Sequence, residues 1–267
     1  MQEEGLRHMA GAQVGPWYAP NITSDPVAGI GSWSKDEIVA YLATGRAEGK
    51  AQAGGSMAEA VSHSFAKLAP ADLGAIATYI KEVPPVGGPA RFGQGAPENL
   101  SAGFRGLDAP ADPTSTTAGA QIYLANCASC HGYNDQGTRD QYYPSLFNNS
   151  VTAGKATGNM IAAVLNGVDR KTEAGHVFMP PFGTQPNAYT TLSDDEIAAL
   201  ATYVVAQYDD AGHRVTAAEV ATIRAGGPRS RIVGVVRGLM AAGTVLAVIV
   251  AVALAMLQRR RDAMRAA

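Results

Sequence analysis

The chain has only two cysteines, Cys127 and Cys130, and His131 follows the second directly. Thiols at this spacing lie one helical turn apart and can add to the two vinyl groups of one haem. The adjacent histidine is then held beneath the iron as proximal ligand. Three other readings are poorer. A structural zinc site needs further ligands at paired spacing, and there is no second cysteine pair. A thioredoxin-like redox pair wants a βαβ setting, whereas the flanking pattern is helical. A chance pairing would have to bring both cysteines of a 267-residue chain into one motif. The expectation is a covalent c-type haem at Cys127, Cys130 and His131.

A sixth iron ligand should come from further along the chain. Met179 is the candidate, in the run Phe178-Met179-Pro180-Pro181-Phe182, where the prolines stiffen an extended segment. The competing reading of a lone methionine is core filling. His176 is the rival ligand, and Met160 sits on an apolar stripe with Ile161, Val164 and Leu165 that reads as core. A Met/His pair raises the potential of a haem and leaves no open iron position, which suits an electron relay rather than catalysis at the iron.

The rest of the pattern is helical and repeats itself. The segment from Leu68 to Ile80 matches that from Leu192 to Val204 at a constant offset. Leu73, Ile76, Ala77 and Ile80 correspond to Ile197, Leu200, Ala201 and Val204, a buried stripe at i, i+3, i+4, i+7. Capping boxes at Ser193/Glu196 and Ser34/Glu37 open two helices, the second ending near Gly45. Another helix from about Thr117 to Asn126 leads into the cysteines. Met57 precedes Leu68 at nearly the spacing at which Met179 precedes Leu192, but the first copy has no Cys-x-x-Cys-His. No alternating apolar run suggests a strand. The expected fold is all-α: tandem class I cytochrome c-like domains followed by one C-terminal transmembrane helix. The expected boundaries are 1–86 for a domain lacking its attachment motif, 87–113 for a Gly/Pro/Ala-rich linker and 114–210 for the haem domain. A juxtamembrane segment at 211–231, a membrane helix at 232–258 and a cytoplasmic tail at 259–267 follow.

Gly238 to Leu257 is uncharged and long enough to cross the roughly 30 Å hydrocarbon core. Arg259, Arg260, Arg261 and Arg265 follow it, while Arg224, Arg229, Arg231 and Arg237 precede it. Because c-type haem is attached outside the cytoplasm, the haem domains are expected on the periplasmic face of a bacterial inner membrane, tethered by a single pass. The net charge of −2 gives no reason to expect nucleic acid.

These residues resemble a family. The motifs Trp17-Tyr18-Ala19-Pro20-Asn21-Ile22-Thr23, Gly29-Ile30-Gly31-Ser32-Trp33-Ser34, Ser56-Met57-Ala58-Glu59-Ala60-Val61 and the unit from Cys127 to Met179 are similar to the C-terminal part of triheme cytochrome c subunits of bacterial membrane-bound alcohol, gluconate and sorbitol dehydrogenases. The resemblance implies that residues 5 to 86 correspond to the second of three haem domains, with Met57 ligating its iron if that second haem c is present. It also implies an N-terminally truncated chain, since the first residues carry two acids and no apolar h-region and the second domain's thiols are missing. The implied role is an electron-transfer subunit rather than the catalytic one. It would pass electrons from a flavin- or PQQ-dependent periplasmic dehydrogenase to ubiquinone or a terminal oxidase. The alternative is a membrane-anchored cytochrome c that serves an oxidase without a dehydrogenase partner.

Overall fold

A computed structural model of the chain describes residues 8–88, 116–133, 136–140, 142–146, 149–152, 157–206, 214–228 and 231–266. The expected linker at 87–113 lies outside them except for Gly87 and Gly88. About half of the chain is helical, and contacts divide it into two compact units, one up to Gly227 and one from Pro228.

In the first unit, hairpin β1 (Ala12–Val14)/β2 (Trp17–Ala19) precedes helix α1 (Lys35–Thr44). The Ser34 hydroxyl accepts from the Glu37 N–H at 3.1 Å, and the Glu37 carboxylate accepts from the Ser34 N–H at 2.7 Å, so α1 starts in a complete capping box. It stops at Gly45, which is left-handed at φ 75° and donates to the Tyr41 carbonyl. The short hairpin β3 (Arg46–Ala47)/β4 (Ala51–Gln52) leads to α2 (Gly55–His63), a 3-10 turn (Phe65–Lys67) and α3 (Pro70–Glu82). Proline opens α3 at no hydrogen-bond cost, because the first-turn N–H has no helical partner. Leu73, Ala77 and Ile80 of α3 join Ile30, Trp33, Ile38 and Leu42 in one core, with Ile76 partly buried against it.

Further along, α4 (Thr116–Asn126) runs into the short α5 (Ala128–His131). Helix α6 (Thr157–Asn166), hairpin β5 (Val168–Thr172)/β6 (Gly175–Met179), α7 (Asp194–Ala206) and α8 (Ala217–Arg224) follow. Helix α7 starts at the expected box, with Ser193 and Glu196 bonded reciprocally at 2.8 and 3.2 Å. Every residue from Ile197 to Val205 is buried, since α4, α6 and α8 all pack on α7. Fully burying side chains such as Ile161, Ile197 and Val205 is worth about 1.5–3 kcal/mol each.

Two features differ from the pattern reading. The described residues include three two-stranded hairpins. Those before Gly55 have strands of two or three residues, too short for alternation to register. In β5 the buried residue is Arg170, so the apolar/polar rule is inverted there. Second, α8 lies in the stretch expected to be juxtamembrane. The capping box Thr216/Glu219 starts it, and Val220 and Ile223 are buried in the same core as α7.

The second unit is the helix α9 (Arg231–Ala266). Within it Gly234–Leu257 is apolar and long enough to cross a membrane, and none of that window is buried by protein.

Candidate functional site

Helix α4 ends where the Cys127-Cys130-His131 motif begins. The Cys127 N–H still donates to the Tyr123 carbonyl, and the Cys130 and His131 N–H groups both donate to the Cys127 carbonyl. The three side chains are thereby fixed along one tight helical turn. The Tyr123 hydroxyl ties that turn down by donating to the Gly132 carbonyl at 2.8 Å. Neither cysteine forms a disulfide.

The His131 ring has a defined tautomer. Its Nδ1 lies 2.9 Å from the Pro144 carbonyl, which can only accept, so Nδ1 carries the proton and Nε2 keeps a free lone pair. Desolvation holds its pKa below the ordinary value, partly offset by the Pro144 contact, so the ring is held neutral. A neutral imidazole oriented by an outer hydrogen bond is the form that ligates a metal.

Nε2 belongs to a ring that borders an apolar cavity of about 520 Å³, within the size range of cofactor sites. Cys127, His131 and Met179 all line it, together with Leu146, Met160 and Leu200. Cys130 does not border it. Hairpin pairing sets Met179 at the end of β6 opposite Val168, and both face the cavity. His176 is elsewhere: its Nε2 pairs with Asp169 at 2.8 Å on the hairpin's exposed edge and does not reach the cavity. Of the two rival ligands, only Met179 shares a wall with His131. Met160 is buried in the core that forms part of that wall. Imidazole nitrogen, thioether and thiol around an apolar void fit a haem c, whose macrocycle is apolar and whose iron takes one ligand on each face.

The same cavity continues into the first part of the unit, where Trp17, Ile22, Ile30, Trp33 and Met57 line it. Met57 stands in the first turn of α2, partly buried. Trp17 sits against Gly54 and Gly55, where a Cβ at Gly55 would collide with the indole. The backbone of Tyr18 is clamped by Asn159 of α6, accepting at 2.7 Å and donating at 2.8 Å. Pattern reading missed these contacts between the two parts, because none has a sequence period.

Residues 116–207, carrying the cysteines, His131 and Met179, match the cytochrome c family. They form a cytochrome c domain, and the cofactor of such a domain is haem c. The chain is similar to the fructose dehydrogenase cytochrome subunit of Gluconobacter japonicus, 41% identical over 82% of this chain and 46% of the relative. It is 30% identical to the cytochrome c subunit of the quinone-dependent alcohol dehydrogenase of Gluconacetobacter polyoxogenes, over 80% of this chain and 44% of that subunit. It is 28% identical to the gluconate 2-dehydrogenase cytochrome c subunit of Pantoea cypripedii, over 80% and 46%. The chain therefore spans less than half the length of these curated relatives.

Proposed function

We propose that this chain is the electron-transfer part of a membrane-bound dehydrogenase complex. Cys127 and Cys130 would hold the haem through thioether bonds, and His131 Nε2 and Met179 would ligate its iron. The observation that carries this is the meeting of His131 and Met179 at one apolar cavity beside Cys127. When bound, the haem supplies one-electron chemistry. The apolar lining keeps water away from it, the Pro144 carbonyl fixes the imidazole, and the hairpin holds the thioether in place.

The reading extends to the rest of the chain. Residues 1–86 are taken as a second cytochrome c-like domain in tandem, with Met57 as the ligand of a further haem whose thiols this sequence does not contain. A triheme assembly is the arrangement this implies. Helix α9 is taken as a single pass of the bacterial inner membrane with the haem domain in the periplasm. Electrons would enter from a flavin- or PQQ-dependent catalytic subunit and leave to ubiquinone or an oxidase. The three relatives described above are cytochrome subunits of dehydrogenases, which supports a partner of that kind.

Affinity purification of the full chain from native membranes tests the partner. A sugar- or alcohol-oxidising subunit should co-purify, and its substrate should reduce the haem. A haem-loaded chain that purifies without one and stays oxidised would turn the reading to a cytochrome that serves an oxidase alone.

A further inference from the structure

Arg170 is 1% exposed, the largest of the fully buried side chains. It leaves β5, next to the strand that carries Met179, and crosses to the first part of the unit. There Nη1 donates to the Ala53 carbonyl at 2.7 Å and Nη2 to Gln52 Oε1 at 2.9 Å, while Nε is buried without a partner. Both acceptors are neutral, and among the described residues no carboxylate pairs with this guanidinium. An arginine does not lose its proton in a protein, so the charge stays where it is.

An isolated buried charge is costly, and proteins retain one where it has a task. The clamp needs no charge, since a neutral amide could make the same two bonds. Gly45 makes room for the group: a Cβ there would collide with the guanidinium. The acceptors Gln52 and Ala53, and Tyr41 nearby, line the first-part end of the cavity, which is continuous with the end that His131 and Met179 border. The charge therefore sits one residue behind that wall, in protein rather than in water.

We propose that Arg170 is a potential-setting residue, a permanent positive charge that favours the reduced form of the haem in the adjoining cavity. This rests on the reading that the cavity holds a covalent haem. One electron, delivered from the reduced cofactor of the dehydrogenase, takes the iron from Fe(III) to Fe(II) and lowers its charge by one. The repulsion from a fixed cation falls with it, so reduction becomes easier. Through an effective dielectric of about 20 rather than about 80, one buried unit charge changes the oxidised-to-reduced ratio roughly tenfold. For a one-electron couple that is about 59 mV.

The test is a spectroelectrochemical titration of the haem-loaded full chain, after its covalent haem has been confirmed on denatured protein. Arg170→Gln removes the charge. Gln52→Glu keeps the arginine and places a carboxylate where the amide oxygen now stands at 2.9 Å, which cancels the charge without emptying the site. Both should lower the midpoint, leaving roughly a tenth of the haem reduced at the wild-type midpoint. A Gln52→Glu protein with attached haem and an unmoved midpoint overturns the proposal, whether or not Arg170→Gln folds. Absence of covalent haem overturns the underlying reading instead, and is seen before any titration.

Discussion

Gly119 lies on α4 where that helix crosses α7, and it is buried. In an ordinary helix interior, alanine is favoured over glycine by about 0.8–1.0 kcal/mol. Here a Cβ would run into the Ala199 carbonyl and the Tyr203 Cβ, backbone and near-backbone atoms of α7 that have no rotamer to escape into. Forcing extra volume into such a contact costs about 1–3 kcal/mol, and with backbone atoms as the obstacle about 2–3 kcal/mol applies before the helix gain is subtracted. Gly119→Ala should therefore lose about 1–2 kcal/mol net, lowering the midpoint by about 2–8 °C for a unit of this size. Gly74 on α3 is the control, since a Cβ there meets nothing within 4 Å. Gly74→Ala should gain about 0.5–1 kcal/mol. Thermal unfolding of the haem-loaded proteins in one detergent, followed by far-UV circular dichroism, compares them. Because α4 leads into the Cys127-Cys130-His131 turn, haem content is read alongside. A Gly119→Ala protein as stable as wild type or more so would refute the close approach of α4 to α7.

Met179→Ala should leave the haem attached but lower its potential, while His176→Ala should leave it unchanged; the reverse pattern would move the axial ligand to the exposed edge of the hairpin. Asn159→Ala should speed hydrogen exchange at the Tyr18 amide roughly fivefold, as expected for losing about 1 kcal/mol of hydrogen bonding. Desolvation pushes Glu37 up, but hydrogen bonds from Lys50 and Ser34 and the Lys50 charge outweigh it and hold the carboxyl below its ordinary 4.5. Its stabilisation is complete above that value and is lost as pH falls through the lower folded pKa. Wild type should therefore lose more stability than Glu37→Gln between about pH 5 and about pH 3 in denaturant titrations.

The Cys127-Cys130-His131 turn could be read as a candidate for haem attachment because that chemistry demands closely spaced residues. The helices were legible where caps and stripes coincide, as at Ser34 with Gly45 and at Ser193 with the stripe from Ile197 to Val204. Met179 could be nominated from its prolines, but its place at the cavity and that of His176 beside Asp169 follow from the hairpin pairing, which carries no sequence signal. Helix α8 carried a readable signal, the Thr216/Glu219 box, but eight residues give too few turns for a stripe. Arg170, Trp17 and Asn159 were beyond pattern reading. Each acts across a long stretch of sequence, and a buried arginine runs against the rule that places charge outside.

The central claim is a covalent haem on Cys127 and Cys130. The most direct measurement is the pyridine haemochrome spectrum of the denatured chain, exported and matured, giving haem per polypeptide for wild type and Cys127→Ala. The account expects one covalent haem in the wild type and a loss of doubly linked haem in the variant. Wild-type chain without covalent haem, or a Cys127→Ala spectrum identical to wild type, would contradict it.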